Sequence, residues 1–251
     1  MSGRILKLTV GYDGTAFSGW QVQPGERTVQ GELEAAFSAL EGSPTRVHGA
    51  GRTDAGVHAV AQVAHVETAL ELPAERIAGA LNARLPDDML VRRVEDAPEA
   101  FDARFSATQR SYVYLMSVEE DPLWRNRRWV VRKRPDIEAM RAAAETLLGE
   151  HDFSSFCLTG SEPSHHRCRL DSISIEWQDE LGGMIILRVS ANRFLRGMVR
   201  SIVGTLAEVG RGRMTVEQFR DVLEARDRSR AGATAPACGL YLEKVDYSGE
   251  V

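Results

Sequence analysis

The order in which apolar spacing changes along the first hundred residues restricts this chain more than any other feature. From Ile5 to Tyr12 the pattern has period two, with Leu6, Leu8, Val10 and Tyr12 on one face, which predicts a half-buried strand. It then switches. Val29, Leu33, Ala36, Phe37 and Leu40 recur at helical spacing behind Thr28, a good N-cap. Thr45 to Ala50 and Val60 to Val66 return to strand-like patterning, and a second helix is expected from Pro73 through Ile77, Ala80 and Leu81 to a stop before Pro86. Met89 to Val94 supplies one more strand, so the succession reads β-α-β-β-α-β.

That succession is ferredoxin-like. Beyond it, residues 101–118 pass from a bend into a long alternating strand, and Asp136 caps a helix carrying Ile137, Met140, Ala144 and Leu147 that ends at Gly149. Residues 150–169 read as a polar loop, with the Gly160 to Arg167 stretch expected to be mobile. Leu170 to Gln178 and Met184 to Ala191 form a hairpin around Gly182 and Gly183. A long helix is expected from about Arg193, a shorter one from Thr215, and a closing strand from Ala235 to Val245. The expected fold class is therefore α+β. Two ferredoxin-like-derived halves, residues 1–104 and 105–251, each carry an antiparallel sheet with helices on the outer face, and a cleft between the halves holds the site.

Composition excludes several alternatives. Cys157, Cys168 and Cys238 are an odd number at irregular spacing, which argues against a disulfide framework. His151, Cys157, His165, His166 and Cys168 lack the paired spacings of zinc modules, so no metal is expected. No stretch approaches a membrane span, and Met1 to Arg4 leads straight into a strand-like segment without a signal-peptide apolar core, so a cytosolic location is expected. A net charge of −5 argues weakly against a nucleic-acid partner. Its distribution argues the other way. Only Lys7, Lys133 and Lys244 are lysine, and between Trp124 and Arg134 lie Arg125, Arg127, Arg128, Arg132 and Lys133 with no acid among them. Arginine beside aromatics suits phosphate tracking and base stacking, which makes Arg125 and Arg128 candidate RNA contacts.

The chemistry-bearing stretch is Gly49 to His58, Gly-Ala-Gly-Arg-Thr-Asp-Ala-Gly-Val-His, between two strands. Glycine at 49, 51 and 56 allows positive φ and close approach. An isolated Arg52–Asp54 pair would be a surface ion pair worth about 0–1 kcal/mol. The unbroken string Gly51 to His58, however, resembles the active-site loop of the TruA family of tRNA pseudouridine synthases. Further resemblance lies in Tyr12 to Gln21, in Ala103-Arg-Phe-Ser-Ala-Thr-Gln-Arg-Ser-Tyr-Val-Tyr114, in Asn192 to Gly204, and in Gly239-Leu-Tyr-Leu242. Asp13-Gly14-Thr15 also echoes the aspartyl-phosphate phosphatase loop, but Gly11 stands where that motif needs its nucleophile.

The resemblance implies that Asp54 is the nucleophile, that Arg52 helps to extrude the target nucleotide, that Tyr112 receives the base, and that Arg200 pairs with the catalytic aspartate. Leu242 would line the pocket. Arg104 and Arg110, which have no apolar role in their strand, join the candidate RNA contacts. The implied reaction converts uridine to pseudouridine at positions 38 to 40 of the tRNA anticodon stem-loop, in a homodimer and without a cofactor, since neither hydride nor phosphoryl moves. Whether Asp54 attacks C6 of uracil or C1′ of ribose stays open. Two rivals remain: a catalytically silent RNA-binding protein, against which Asp54, Arg52 and Arg200 together argue because binding alone does not need a carboxylate facing phosphate, and an Asp54 hydrolase, which lacks a paired carboxylate or activating histidine in any matched motif although His58 is close.

Overall fold

The alternating run near the N-terminus becomes strand β1 (Arg4–Tyr12), with Leu6, Leu8, Val10 and Tyr12 all buried. The structure is a computed structural model that describes residues 3–158, 160 and 165–248. By its contacts the chain divides into two units. The first takes in the chain up to Thr108 and again from Tyr241, and the second runs Gln109–Leu240.

In the first unit, Thr28 accepts a hydrogen bond from the Gly31 amide and so caps α1 (Val29–Glu41), which buries Val29, Leu33, Ala36 and Phe37. The strands β2 (Val47–Gly49) and β3 (His58–Thr68) follow. Next come α2 (Ala74–Asn82) and β4 (Met89–Ala97). Pro73 takes the N-cap position of α2, one residue ahead of where the sequence places it, because a proline at the cap forfeits no helical hydrogen bond. β1 lies between β3 and β4, antiparallel to both, with Leu8 opposite Ala64 on one side and Val94 on the other. The far edge of β3 is shared. β2 pairs antiparallel with its later residues, Val47 opposite Val66, and β10 (Leu240–Tyr247) pairs parallel with its start, Tyr241 opposite His58 and Leu242 opposite Ala59.

By contacts the last strand groups with the first hundred residues. Two side chains account for that. The Tyr241 ring stacks on His58 with centroids 4.6 Å apart, and the Tyr247 hydroxyl donates to the Ala103 carbonyl at 2.8 Å.

In the second unit, β5 (Ala107–Ser117) pairs antiparallel with β9 (Met184–Ala191), β9 with β8 (Arg167–Gln178), and β8 with β7 (Gly149–Asp152). A two-residue strand, β6 (Trp129–Val130), runs parallel to the end of β5. Helices α3 (Ile137–Glu145), α5 (Met198–Gly210) and α6 (Val216–Ala225) pack on one another, and α3 also packs on β8. A single helical turn, α4 (Glu180–Gly183), leads into β9.

Three expectations need correction here. The polar segment after Gly149 opens with a strand, β7, that earns its place through main-chain pairing with β8 and not through apolar alternation. The long helix starts at Met198 instead of Arg193, because Gly197 sits at φ +66 and the chain before it is irregular. The closing strand starts at Leu240, after a 3₁₀ turn over Ala237–Gly239. Within the loop expected to be mobile, residues 161–164 lie outside the described residues.

Candidate active site

The Asp54 loop is fixed by the segment that follows β1. The Thr53 carbonyl accepts the Trp20 amide at 3.0 Å, and its hydroxyl pairs with the buried Tyr12 hydroxyl at 2.8 Å. The Asp54 carbonyl accepts the Val57 amide at 3.1 Å, closing a four-residue turn whose third member, Gly56, takes φ +76. A side chain there would be strained, so glycine is required. Gln62 donates to the Gly51 carbonyl at 2.8 Å and fixes the other end. Main chain is therefore held on both sides of Asp54, whose carboxylate is half-buried, while Arg52 is exposed.

The three glycines divide by role. A Cβ on Gly49 would come within 2.5 Å of the Trp20 ring, so close approach demands that glycine. Gly51 shows neither need, since nothing would meet a Cβ there within 4 Å. Phe17 and Trp20 are the large apolar residues of the Tyr12 to Gln21 stretch. Both are buried, and the segment is also the clamp on the Asp54 loop. The apolar character of Phe17 and Trp20 signalled burial, but nothing in it told which loop they would brace.

His58 is 2% exposed, and its Nδ1 accepts the Gly14 amide at 3.0 Å while Tyr241 covers the ring. Asp13 Oδ1 stands 3.2 Å from the same Nδ1, so the ring ties the turn after β1 to the start of β3. Leu242, buried beside Ala59, lies on the strand next to the one that leaves this loop.

Arg104 also belongs to the first unit. It is exposed on the turn before β5, with its guanidinium 5.3 Å from the centroid of the Phe105 ring.

In the second unit, Tyr112 is 9% exposed and meets Phe194 edge-on at 5.1 Å. Arg110 donates to the Asn192 carbonyl at 3.0 Å. Arg200, in the first turn of α5, donates from Nε to the Ala235 carbonyl at 2.8 Å, while its own carbonyl accepts the Ala235 amide at 3.0 Å. It is an anchored cation, and not a solvated residue on a helix surface. Tyr114, the second tyrosine of the strand, is fully buried with its hydroxyl donating to the Pro236 carbonyl at 2.8 Å, and burial drives its phenol upward.

The basic stretch is less open than its composition suggests. Arg128 is 4% exposed, donates to the Glu119 carbonyl at 3.3 Å, and lies 5.6 Å from the Trp124 centroid. Its guanidinium is turned into its own loop. Arg132 pairs with Glu120 at 2.8 Å, and Arg134 stacks 4.1 Å from the centroid of Trp177. Arg125 is exposed as expected. Among the described residues no group of three His, Cys, Asp or Glu is placed to hold a metal ion, and burial pushes the Cys168 thiol up to about 11.

A family model described as tRNA pseudouridine synthase matches residues 8–106 and 143–248. Those ranges contain Arg52, Asp54, Arg104, Arg200 and Leu242, while Arg110, Tyr112, Arg125 and Arg128 fall between them. The chain is similar to tRNA pseudouridine synthase A of Exiguobacterium sp., 44% identical over 244 residues that cover 97% of this chain and 98% of that one. It is 45% identical to the Maricaulis maris protein of the same name over 246 residues, covering 97% and 98%. The Bacillus subtilis counterpart is 44% identical over 247 residues, covering 96% and 98%.

Proposed function

This chain belongs to the tRNA pseudouridine synthase family and is an isomerase of uridine in tRNA, and from that premise we propose that its targets are positions 38, 39 and 40 of the anticodon stem-loop, with Asp54 as nucleophile. The observation that carries the reading is the Asp54 loop. Its main chain is bound at Thr53, Asp54 and Gly51, so the backbone that carries the Asp54 carboxylate is fixed two residues after an exposed arginine.

The chemistry is internal to the nucleotide. The C1′–N1 bond breaks, a C1′–C5 bond forms, the proton at C5 leaves, and N1 ends with one. Nothing is oxidised or transferred away, so side chains suffice. The stacked base must first turn out, at a cost of a few kcal/mol. Arg52, exposed two residues ahead of Asp54, fills that space or holds the displaced phosphate, and Tyr112 receives the base, since a base stacked on an aromatic ring gains about 1–3 kcal/mol. Arg200 serves the carboxylate as its cation.

We further propose that both units derive from ferredoxin-like halves, a reading supported in the first by β1 lying antiparallel between β3 and β4 with β2 beyond β3. A homodimer and a cytosolic location complete the proposal. No helix among the described residues is long and apolar enough to cross a membrane.

The test is one purified tRNA transcript with uridines at these positions, incubated with the protein alone and mapped by carbodiimide. Pseudouridine should form with the parent, and Asp54→Asn should form it at least about a thousandfold slower while binding tRNA within about threefold. Unchanged product from the variant would take Asp54 out of the mechanism.

A further inference from the structure

The turn between β4 and β5 holds an aromatic ring out into solvent, and it is built to do so. Phe105 is 79% exposed. Behind it the main chain is bound at every step. The Ala103 amide donates to His65 Nδ1 at 2.9 Å, and the Ala103 carbonyl accepts from the Tyr247 hydroxyl at 2.8 Å. Asp102 Oδ1 accepts the Arg104 and Phe105 amides at 2.7 and 2.8 Å. The Asp102 amide donates to Ser106 Oγ at 3.1 Å, and the Ser106 amide returns to the Asp102 carbonyl at 2.9 Å. An exposed apolar residue alone calls for no explanation. Six hydrogen bonds that fix one, with a guanidinium 5.3 Å from its ring centroid, do.

We propose that Phe105, with Arg104 beside it, is a stacking platform for an unpaired nucleobase of the tRNA substrate. The proposal rests on the tRNA activity inferred above and adds to it a contact residue. Stacking needs a flat ring held still, and a fixed turn has already met the ordering cost that a flexible loop would pay on binding. The flanking residues Asp102, Arg104 and Ser106 are polar, so the turn itself adds no apolar neighbours of the kind that the core of a protein interface carries. Leu123, equally bare at 81%, has no π face to offer. Phe105 has no hydrogen-bonding group, so it accepts any of the four bases.

The test is tRNA binding by filter retention at fixed salt. Phe105→Ala should raise Kd roughly 5- to 150-fold, the loss of one stacked base, with the salt slope unchanged because no charge is removed. Phe105→Trp should bind within about threefold of the parent, and its added indole fluorescence should be quenched by tRNA. The ring makes no core contact, so the thermal midpoint of the alanine variant should match the parent and exclude misfolding. Parent-like binding by Phe105→Ala overturns the proposal. So does intact tRNA binding with a shift of oligomeric state in sedimentation, which would assign the ring to a second copy of the chain. Failure of the functional reading itself is separable, because it would show as a parent that neither binds tRNA nor forms pseudouridine.

Discussion

His65 shows how a single side chain links the first unit to the titration range. Its ring stacks on His48 at 5.0 Å, its Nδ1 accepts the Ala103 amide, and its Nε2 stands 4.0 Å from Asp102. Burial lowers its pKa and the His48 charge adds to that, against the opposing pull of Asp102. The unfolded chain takes up a proton near the ordinary value of 6.5 and the folded chain resists it to lower pH. Stability from this residue is therefore complete above about 6.5 and declines as pH falls below it. His65→Asn, which keeps an acceptor near the Nδ1 position without a titrating group, should lose less stability than the parent between pH 7.5 and 5.5. Urea midpoints at the two values provide the check, and equal losses would discard the account. Asp102 next to it is pushed up by burial but ends below the usual carboxylate range, because the amides of Phe105 and Arg104 outweigh that effect.

Residue roles are legible where type and spacing coincide, as at Gly56, whose φ of +76 calls for glycine. They are not legible where a cation turns inward. Arg128 and Arg125 are alike in sequence, and contacts such as those with the Trp124 ring and the Glu119 carbonyl turn Arg128 inward.

At the scale of elements, periodicity identified β1, α1 and β9 because each buries an apolar face continuous with its own residues. It carried α5 back to Arg193 since Phe194 continues the stripe, whereas the chain there is held by Asn192, whose Oδ1 accepts the Arg169 amide at 2.9 Å. β7 escaped because its residues, Gly-Glu-His-Asp, have no apolar partner pattern. α5 also explains a glycine in mid-helix. A Cβ on Gly204 would lie 1.8 Å from the Ala233 carbonyl oxygen, so the 232–235 segment lies directly on the helix, next to the Ala235 carbonyl that anchors Arg200. Gly204→Ala gains up to about 1 kcal/mol in helix propensity, but the backbone must move, and overpacking of this kind costs about 1–3 kcal/mol. Net destabilisation of about 1–2 kcal/mol is expected by denaturant titration, with slower pseudouridine formation. A variant as stable as the parent would mean that the segment shifts freely.

For the whole molecule, a net charge of −5 hides an uneven distribution. Binding to tRNA depends on exposed arginines and not on the sum. Arg125→Glu should weaken tRNA affinity and reduce the slope of log Kd against log salt by roughly one, whereas an unaltered salt titration would return Arg125 to plain surface. Arg128 is the wrong position for this experiment, because a glutamate there would bury an unpaired charge.

The path of the chain has a consequence for how the molecule is made. The second unit is one continuous stretch, Gln109–Leu240, whereas β3 of the first unit shares its edge with a strand from the far end of the sequence. During translation, the unit begun first is therefore finished last. Until the ribosome releases the residues around Tyr241, that edge at the start of β3 offers unpaired main-chain groups to any passing strand.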